Sequence, residues 1–164
     1  HFTRLVGRVL EAPVACISLI DEDGWLSTSS FGLPPPHAML VSWLFLKQAG
    51  TSGRPLVIAD GRRDPRGARI PAVCDGTVAA YLGMPIVTSD GRVVGTLSVM
   101  DRRPRRWRAR DVGFLRKVGA RLLAERNPRT AARGVSGGRE VDRECVPLPS
   151  QRPEARLRTG SCRR

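Results

Sequence analysis

Histidine is nearly absent from this chain of 164 residues, occurring only at positions 1 and 37, and its four cysteines never pair as C-x-x-C. Cys16, Cys74, Cys145 and Cys162 are widely spaced, so no stretch has the ligand spacing of a zinc site. That cysteine usage is expected of a reducing, cytoplasmic setting, and Cys16, inside an apolar run, reads as a small buried hydrophobe. Long apolar runs are missing too: Met39 to Leu46 falls well short of the roughly 20 residues a membrane span needs. No signal-peptide pattern opens the chain, and a start on His1 rather than Met is what a piece of a longer protein would show. Lysine is equally scarce. Nearly all of the 28 basic residues are arginine, and the net charge is +13. Residues 1–126 carry 19 basic and 11 acidic residues, and 127–164 carry 9 and 4. The excess is therefore spread along the chain, which reads as a solvated basic surface rather than one binding patch.

Two apolar runs, Ala79 to Val87 and Val93 to Met100, flank Thr88-Ser-Asp-Gly-Arg92. Asp-Gly between such runs is a hairpin signal, because Gly91 accepts positive φ at no steric cost. Upstream, Phe2, Leu5, Val6, Val9 and Leu10 recur at helical spacing ahead of Pro13. Val14 to Ile20 is apolar on both faces and belongs in the middle of a sheet. Asp21 to Gly24 is a turn, and Trp25 to Phe31 returns as a more polar strand nearer an edge. Met39 to Ala49 has the length and apolar character of a helix, ended by Gly50. A short strand follows at Pro55 to Ala59, and Asp64 is placed to cap a short helix with Pro65 at its first position. Asp111 reads as the N-cap of a last helix in which Val112, Leu115, Val118, Leu122 and Leu123 form the apolar stripe, ending near Arg126. Residues 1–126 thus read as one α+β domain. Residues 127–164, rich in Gly, Ser, Pro and Arg and without apolar periodicity, read as a disordered tail or linker.

Several strings, in this order and at these separations, resemble the GAF domain family over about residues 2–126. They are Ala12-Pro-Val-Ala-Cys-Ile-Ser-Leu-Ile-Asp21, Trp25, Phe31-Gly-Leu33, Gly53-Arg-Pro-Leu-Val-Ile-Ala-Asp60 and Asp64-Pro-Arg66. Tyr81-Leu-Gly-Met-Pro-Ile86 and Asp90-Gly91 through Gly95-Thr-Leu-Ser-Val-Met-Asp101 complete the set. The flavour is that of bacterial sensory domains attached to kinases, phosphatases or cyclases. The resemblance implies a central six-stranded antiparallel sheet with helices on both sides (GAF/PAS-like) and a small-molecule pocket over one face. It also implies terminal helices that pair between protomers and relay a change to an effector. Departures narrow the ligand. Ser42-Trp43-Leu44 stands where many relatives read Ser-Phe-Cys, no Cys-His neighbour supports a bilin, and no Asn-Lys…Asp-Glu pattern supports a cyclic nucleotide.

Candidate ligand contacts follow from strand periodicity. Val94, Thr96, Ser98 and Met100 share one face of their strand, and Ser18 on the central strand continues it. Two hydroxyls on a buried face suit a pocket floor, where a few polar groups orient a ligand. Tyr81, the sole tyrosine, and Ser42 and Trp43 from the middle helix are candidates for the same pocket. Asp60, at a strand end, is a further candidate, although holding the loop is its ordinary role. His37 as a haem ligand and Met39 and Met84 as anything but core filler are the lesser readings. Arg102 to Arg110 is basic around Trp107, and the ordinary reading tucks the indole against the core and leaves the arginines solvated.

The function expected is a non-catalytic sensory module that binds a small molecule or relays a dimer rearrangement, with no catalytic or metal-ligating residues; the sequence names no cofactor and does not say whether there is one. The rivals are a dimerisation scaffold with a filled pocket, nucleic-acid or acidic-partner binding by the arginine loop, and a free-methionine-sulfoxide reductase. The reductase would require Cys74 to have a second thiol within disulfide reach.

Overall fold

Apolar on both faces, residues 14–20 lie where that pattern requires, between two other strands. The computed structural model describes residues 2–20, 25–33, 53–68, 70–126 and 144–147, together with Lys47. Helix α1 (Phe2–Val9) leads into strands β1 (Val14–Ile20) and β2 (Trp25–Phe31). Strand β3 (Leu56–Ile58), a helical turn α2 (Pro71–Cys74), strands β4 (Ala80–Val87) and β5 (Val93–Asp101), and helix α3 (Ala109–Arg126) follow. The five strands form an antiparallel sheet ordered β3-β4-β5-β1-β2, and β6 (Glu144–Pro147) pairs along the outer side of β2. Thus four residues of the segment read as a tail lie on the sheet, and the rest of that segment lies outside the described residues. So does the middle helix expected over 39–49.

The hairpin forms as its turn residues dictate. Gly91 takes φ 85°, Thr88 N–H donates to Arg92 O at 2.9 Å, and Arg92 N–H returns to Thr88 Oγ1 at 3.2 Å. Burial then separates two faces. Val6 of α1, Leu10 just after it and Leu115 of α3 pack with Ala15, Ile17, Leu82, Met84, Ile86, Leu97 and Val99. The opposite face carries Val14, Cys16, Leu56, Ile58, Tyr81 and Met100, covered in part by Ile70 and Val73 around α2. Val94 departs from simple alternation: it packs with the helical side, next to a register shift in the ladder between Ile86 and Val87.

Three local expectations change. Helix α1 is rotated, so that Thr3, Val6 and Gly7 are buried while Leu5 and Val9 are about half exposed. The cause is Gly7, where a Cβ would lie 2.9 Å from Phe31 Cδ1; the bare backbone lets the helix settle on that ring. Asp64 caps a turn and not a helix, its Oδ1 accepting Arg66 N–H at 2.9 Å, and the helical turn begins only at Pro71. Asp111 is not the N-cap. It sits in the first turn of α3 and reaches back, Oδ2 accepting Arg108 N–H at 2.8 Å, the reciprocal half of a capping box.

The Asp64-Pro-Arg66 string gains a physical reason. Arg66 grips Asp64 with Nε at 2.9 Å and Nη2 at 2.6 Å, and the same Nη2 donates to Val57 O at 2.9 Å. A charged clamp therefore occupies a carbonyl on the edge strand β3, a position otherwise open to pairing with another chain. The Arg66 guanidinium, hydrogen-bonded to the Asp64 carboxylate, holds its pKa below the ordinary carboxylate value.

Candidate functional site

Neighbouring strands bring four hydroxyls to one patch of the sheet. Ser18 lies opposite Thr96, with Pro85 on the far side of Thr96; Cys16 lies opposite Ser98, with Gly83 beyond. Tyr81 is two residues from Gly83 along β4, and its ring leans over that glycine: a Cβ there would lie 2.6 Å from Tyr81 Cε1. The phenol thus reaches toward Thr96 and Ser98 across a strand position that has no side chain. Ser18, Tyr81, Thr96 and Ser98 are all buried, none more than 2% exposed.

Their polar atoms are incompletely matched. Thr96 Oγ1 and Ser98 Oγ complete no hydrogen bond of normal geometry among the described residues. The Tyr81 hydroxyl is nevertheless near enough to both to act on its own acidity: burial pushes the phenol's pKa up, and the two hydroxyls partly offset that. Tyr81 therefore stays a neutral donor and acceptor at neutral pH. A patch of neutral hydroxyls walled by Cys16, Met100 and Pro85 can orient a polar, uncharged group. Among the described residues it holds no carboxylate or imidazole for proton transfer, and no cluster of three or more His, Cys, Asp or Glu side chains suited to a metal occurs.

Of the residues singled out in the sequence, Ser18, Tyr81, Thr96 and Ser98 come together. Ser42 and Trp43, and His37 with them, lie outside the described residues. Asp60 stands apart, at the end of β3. Its Oδ1 accepts Arg62 N–H at 3.1 Å, so it holds its loop, and it lines a separate cleft of about 390 Å³ with Arg62, Arg63 and Arg102. A second cleft of about 300 Å³ lies between α3 and the end of β4, with Pro85, Ile86, Arg116 and Leu123 among its walls. Neither is lined by Ser18, Tyr81, Thr96 or Ser98.

The arginine loop is only partly solvated. Trp107 does tuck in, donating Nε1–H to Ile58 O at 3.2 Å. Arg105 is tied down as well: its guanidinium donates to Glu11 O at 2.9 Å and to Leu10 O, pairs with Asp101 Oδ2 at 3.4 Å, and lies 4.6 Å from the Trp107 ring centroid. Sequence reasoning missed this residue. Its partners are 94 and 95 positions away, and nothing in an arginine run marks the one that turns inward. Cys16 is buried and outside any disulfide, whereas Cys74 is disulfide-bonded, contrary to the all-thiol setting expected of it.

The GAF domain family model matches residues 1–125. No curated protein matches the chain. Among solved structures, the GAF domain of a phosphoenolpyruvate-protein phosphotransferase from Coxiella burnetii is 18% identical, with a TM-score of 0.63 over 80% of this chain and 81% of that one. A domain of a putative two-component sensor histidine kinase from Sinorhizobium meliloti 1021 is 19% identical, with a TM-score of 0.59 over 80% and 92%. The free methionine-R-sulfoxide reductase of Neisseria meningitidis is 16% identical, with a TM-score of 0.57 over 80% and 76%. At such identities the likeness is one of fold.

Proposed function

Because the chain belongs to the GAF domain family, we propose that it is a regulatory module that binds a small, uncharged polar molecule over Ser18, Tyr81, Thr96 and Ser98. The observation that carries this reading is the pair of buried hydroxyls, Thr96 Oγ1 and Ser98 Oγ, which meet the Tyr81 hydroxyl but complete no hydrogen bond of normal geometry among the described residues. Each such group costs about 1–3 kcal/mol if nothing satisfies it, and a ligand with a carbonyl, amide or hydroxyl would offset that cost. The output runs through α3 to an effector domain. Homodimerisation uses the terminal helices, a role supported by Leu5 and Val9, apolar and half exposed on α1. The sensor kinase neighbour is consistent with such an output. Bacterial two-component signalling is the setting we infer, although the Cys74 disulfide speaks against the reducing cytoplasm expected from the cysteine spacing. Among the described residues no helix is long and apolar enough to cross a membrane.

Thr96→Val tests the reading through stability. Where the hydroxyl serves a ligand, exchanging it for a methyl in ligand-free protein is expected to be neutral or to stabilise by about 1 kcal/mol, since an unmatched polar group leaves the core. Chemical denaturation of both proteins measures this. A loss of about 1 kcal/mol or more would mean that the hydroxyl has a structural task, as a dimerisation scaffold with a filled pocket requires.

The disulfide at Cys74 favours, as a second reading, free-methionine-sulfoxide reduction, the activity for which the Neisseria neighbour is named. Turnover of free methionine sulfoxide by the full chain with a dithiol reductant would establish it. Absence of turnover, with the Thr96→Val result above, leaves the regulatory reading.

A further inference from the structure

At the end of the sheet where β3 stops, β4 begins and β5 stops, arginines from two loops face one cleft. Arg62 and Arg63 follow β3, Arg102 follows β5, and Gly76, Val78, Ala79 and Pro104 complete the walls of its roughly 390 Å³. We propose that this cleft binds the phosphate group of a phosphorylated small molecule, at a site separate from the hydroxyl patch.

Four observations carry the proposal. First, the lining sets three guanidinium groups against one carboxylate, Asp60. Second, that carboxylate is engaged: Oδ1 accepts Arg62 N–H at 3.1 Å and Oδ2 lies 3.4 Å from Arg63 Nε. Third, Arg66 and Arg105 are each paired with a carboxylate, while among the described residues no carboxylate lies within ion-pair distance of Arg62 or Arg102. Fourth, the Arg62 head group is drawn against backbone. Gly76 adopts φ +81°, and a Cβ there would lie 3.5 Å from Arg62 Nη2. The loop pairing Gly61 N–H to Ala79 O at 2.6 Å and the ladder-end bond from Ala79 N–H to Asp101 O at 2.8 Å fix the two arginine-bearing segments side by side. The convergence is therefore set by the sheet and is not a chance meeting of long side chains.

The lining's excess positive charge suits a dianion, and the planar fork of guanidinium matches phosphate oxygens two at a time. The volume is that of a small-molecule site, large enough for a sugar phosphate or nucleotide. Arg62, Arg63 and Arg102 are exposed, so binding will be modest and will weaken as salt rises.

The test is calorimetric titration of the full 164-residue chain with inorganic pyrophosphate at constant ionic strength, with succinate and a single-stranded oligonucleotide as competitors. Pyrophosphate is expected to saturate one site per chain. The double variant Arg62→Gln/Arg102→Gln is expected to weaken it by about tenfold or more, the loss of two charge-assisted contacts. Arg4→Gln/Arg8→Gln, which removes the same charge from exposed positions on α1, is expected to change it less than about twofold. Any of several results would overturn the proposal. One is no saturation by pyrophosphate, and one is equal weakening in both double variants. Another is succinate binding as tightly as pyrophosphate. The last is an oligonucleotide that displaces pyrophosphate with length-dependent, steeply salt-dependent affinity, which would assign the arginines to nucleic acid.

Discussion

Arg105→Ala is expected to destabilise the domain by about 3 kcal/mol, a large share of the ~5–15 kcal/mol typical of such a fold. The guanidinium holds three elements together. It donates to Leu10 O and Glu11 O at the end of α1, pairs with Asp101 at the end of β5, and stacks on Trp107, which is itself bonded to β3. Its position also matters to α1. That helix ends in a Schellman arrangement, with Ala12 N–H to Gly7 O at 2.8 Å and Glu11 N–H to Arg8 O at 3.2 Å, and Glu11 sits at φ 49° where glycine is usual. A left-handed non-glycine residue costs about 1–2 kcal/mol, and Arg105 bonds the carbonyls on either side of that strained residue's N–Cα bond. Arg105→Lys is expected to recover less than half of the loss, because an ammonium lacks the planar fork that spans two carbonyls and the flat face that stacks on indole. Equilibrium denaturation of Arg105→Ala beside Arg106→Ala checks this: Arg106 is exposed, and equal losses in the two would contradict the assignment.

Gly83→Ala is expected to cost about 2 kcal/mol, the scale of an overpacked core position. The new methyl would overlap the Tyr81 hydroxyl and lie 2.6 and 2.7 Å from Cε1 and Cζ. The ring is 2% exposed and belongs to the core cluster that includes Ile58 and Met100. Because the phenol must leave the neighbourhood of Thr96 and Ser98, the same substitution should alter whatever binds there. Pairing it with Tyr81→Leu separates the two effects: once the ring is gone, Gly83→Ala should cost little, and an undiminished cost would mean that another contact is responsible.

Much of this was legible from residue order. Asp90-Gly91 between two apolar runs fixed the hairpin, and the unbroken run Val14 to Ile20 fixed the central strand, because turn chemistry and two-faced burial are local properties. Period-2 alternation likewise put Ser18, Thr96 and Ser98 on one face. What stayed hidden depends on contacts distant in sequence. Leu5 and Val9 fit the apolar stripe of α1 as well as Val6 and Leu10 do. Only the approach of Phe31 to Gly7 decides which pair faces inward. Arg105 is indistinguishable from Arg103 or Arg106 until the end of α1 is brought beside it. Asp111 was recognisable as a helix-start signal, but its place inside the first turn depends on Ala109 and Arg110 continuing the helix backwards. The lean of Tyr81 over Gly83 could have been read, since the two residues share a face at i and i+2 and one lacks a side chain.

Native mass spectrometry of the full chain, kept in volatile buffer from lysis onward, tests the central claim most directly. The account predicts a reproducible added mass, one per chain, that is lost when Thr96→Val and Ser98→Ala are combined. A wild-type chain carrying no added mass, or an adduct that persists unchanged in the double variant, would contradict it.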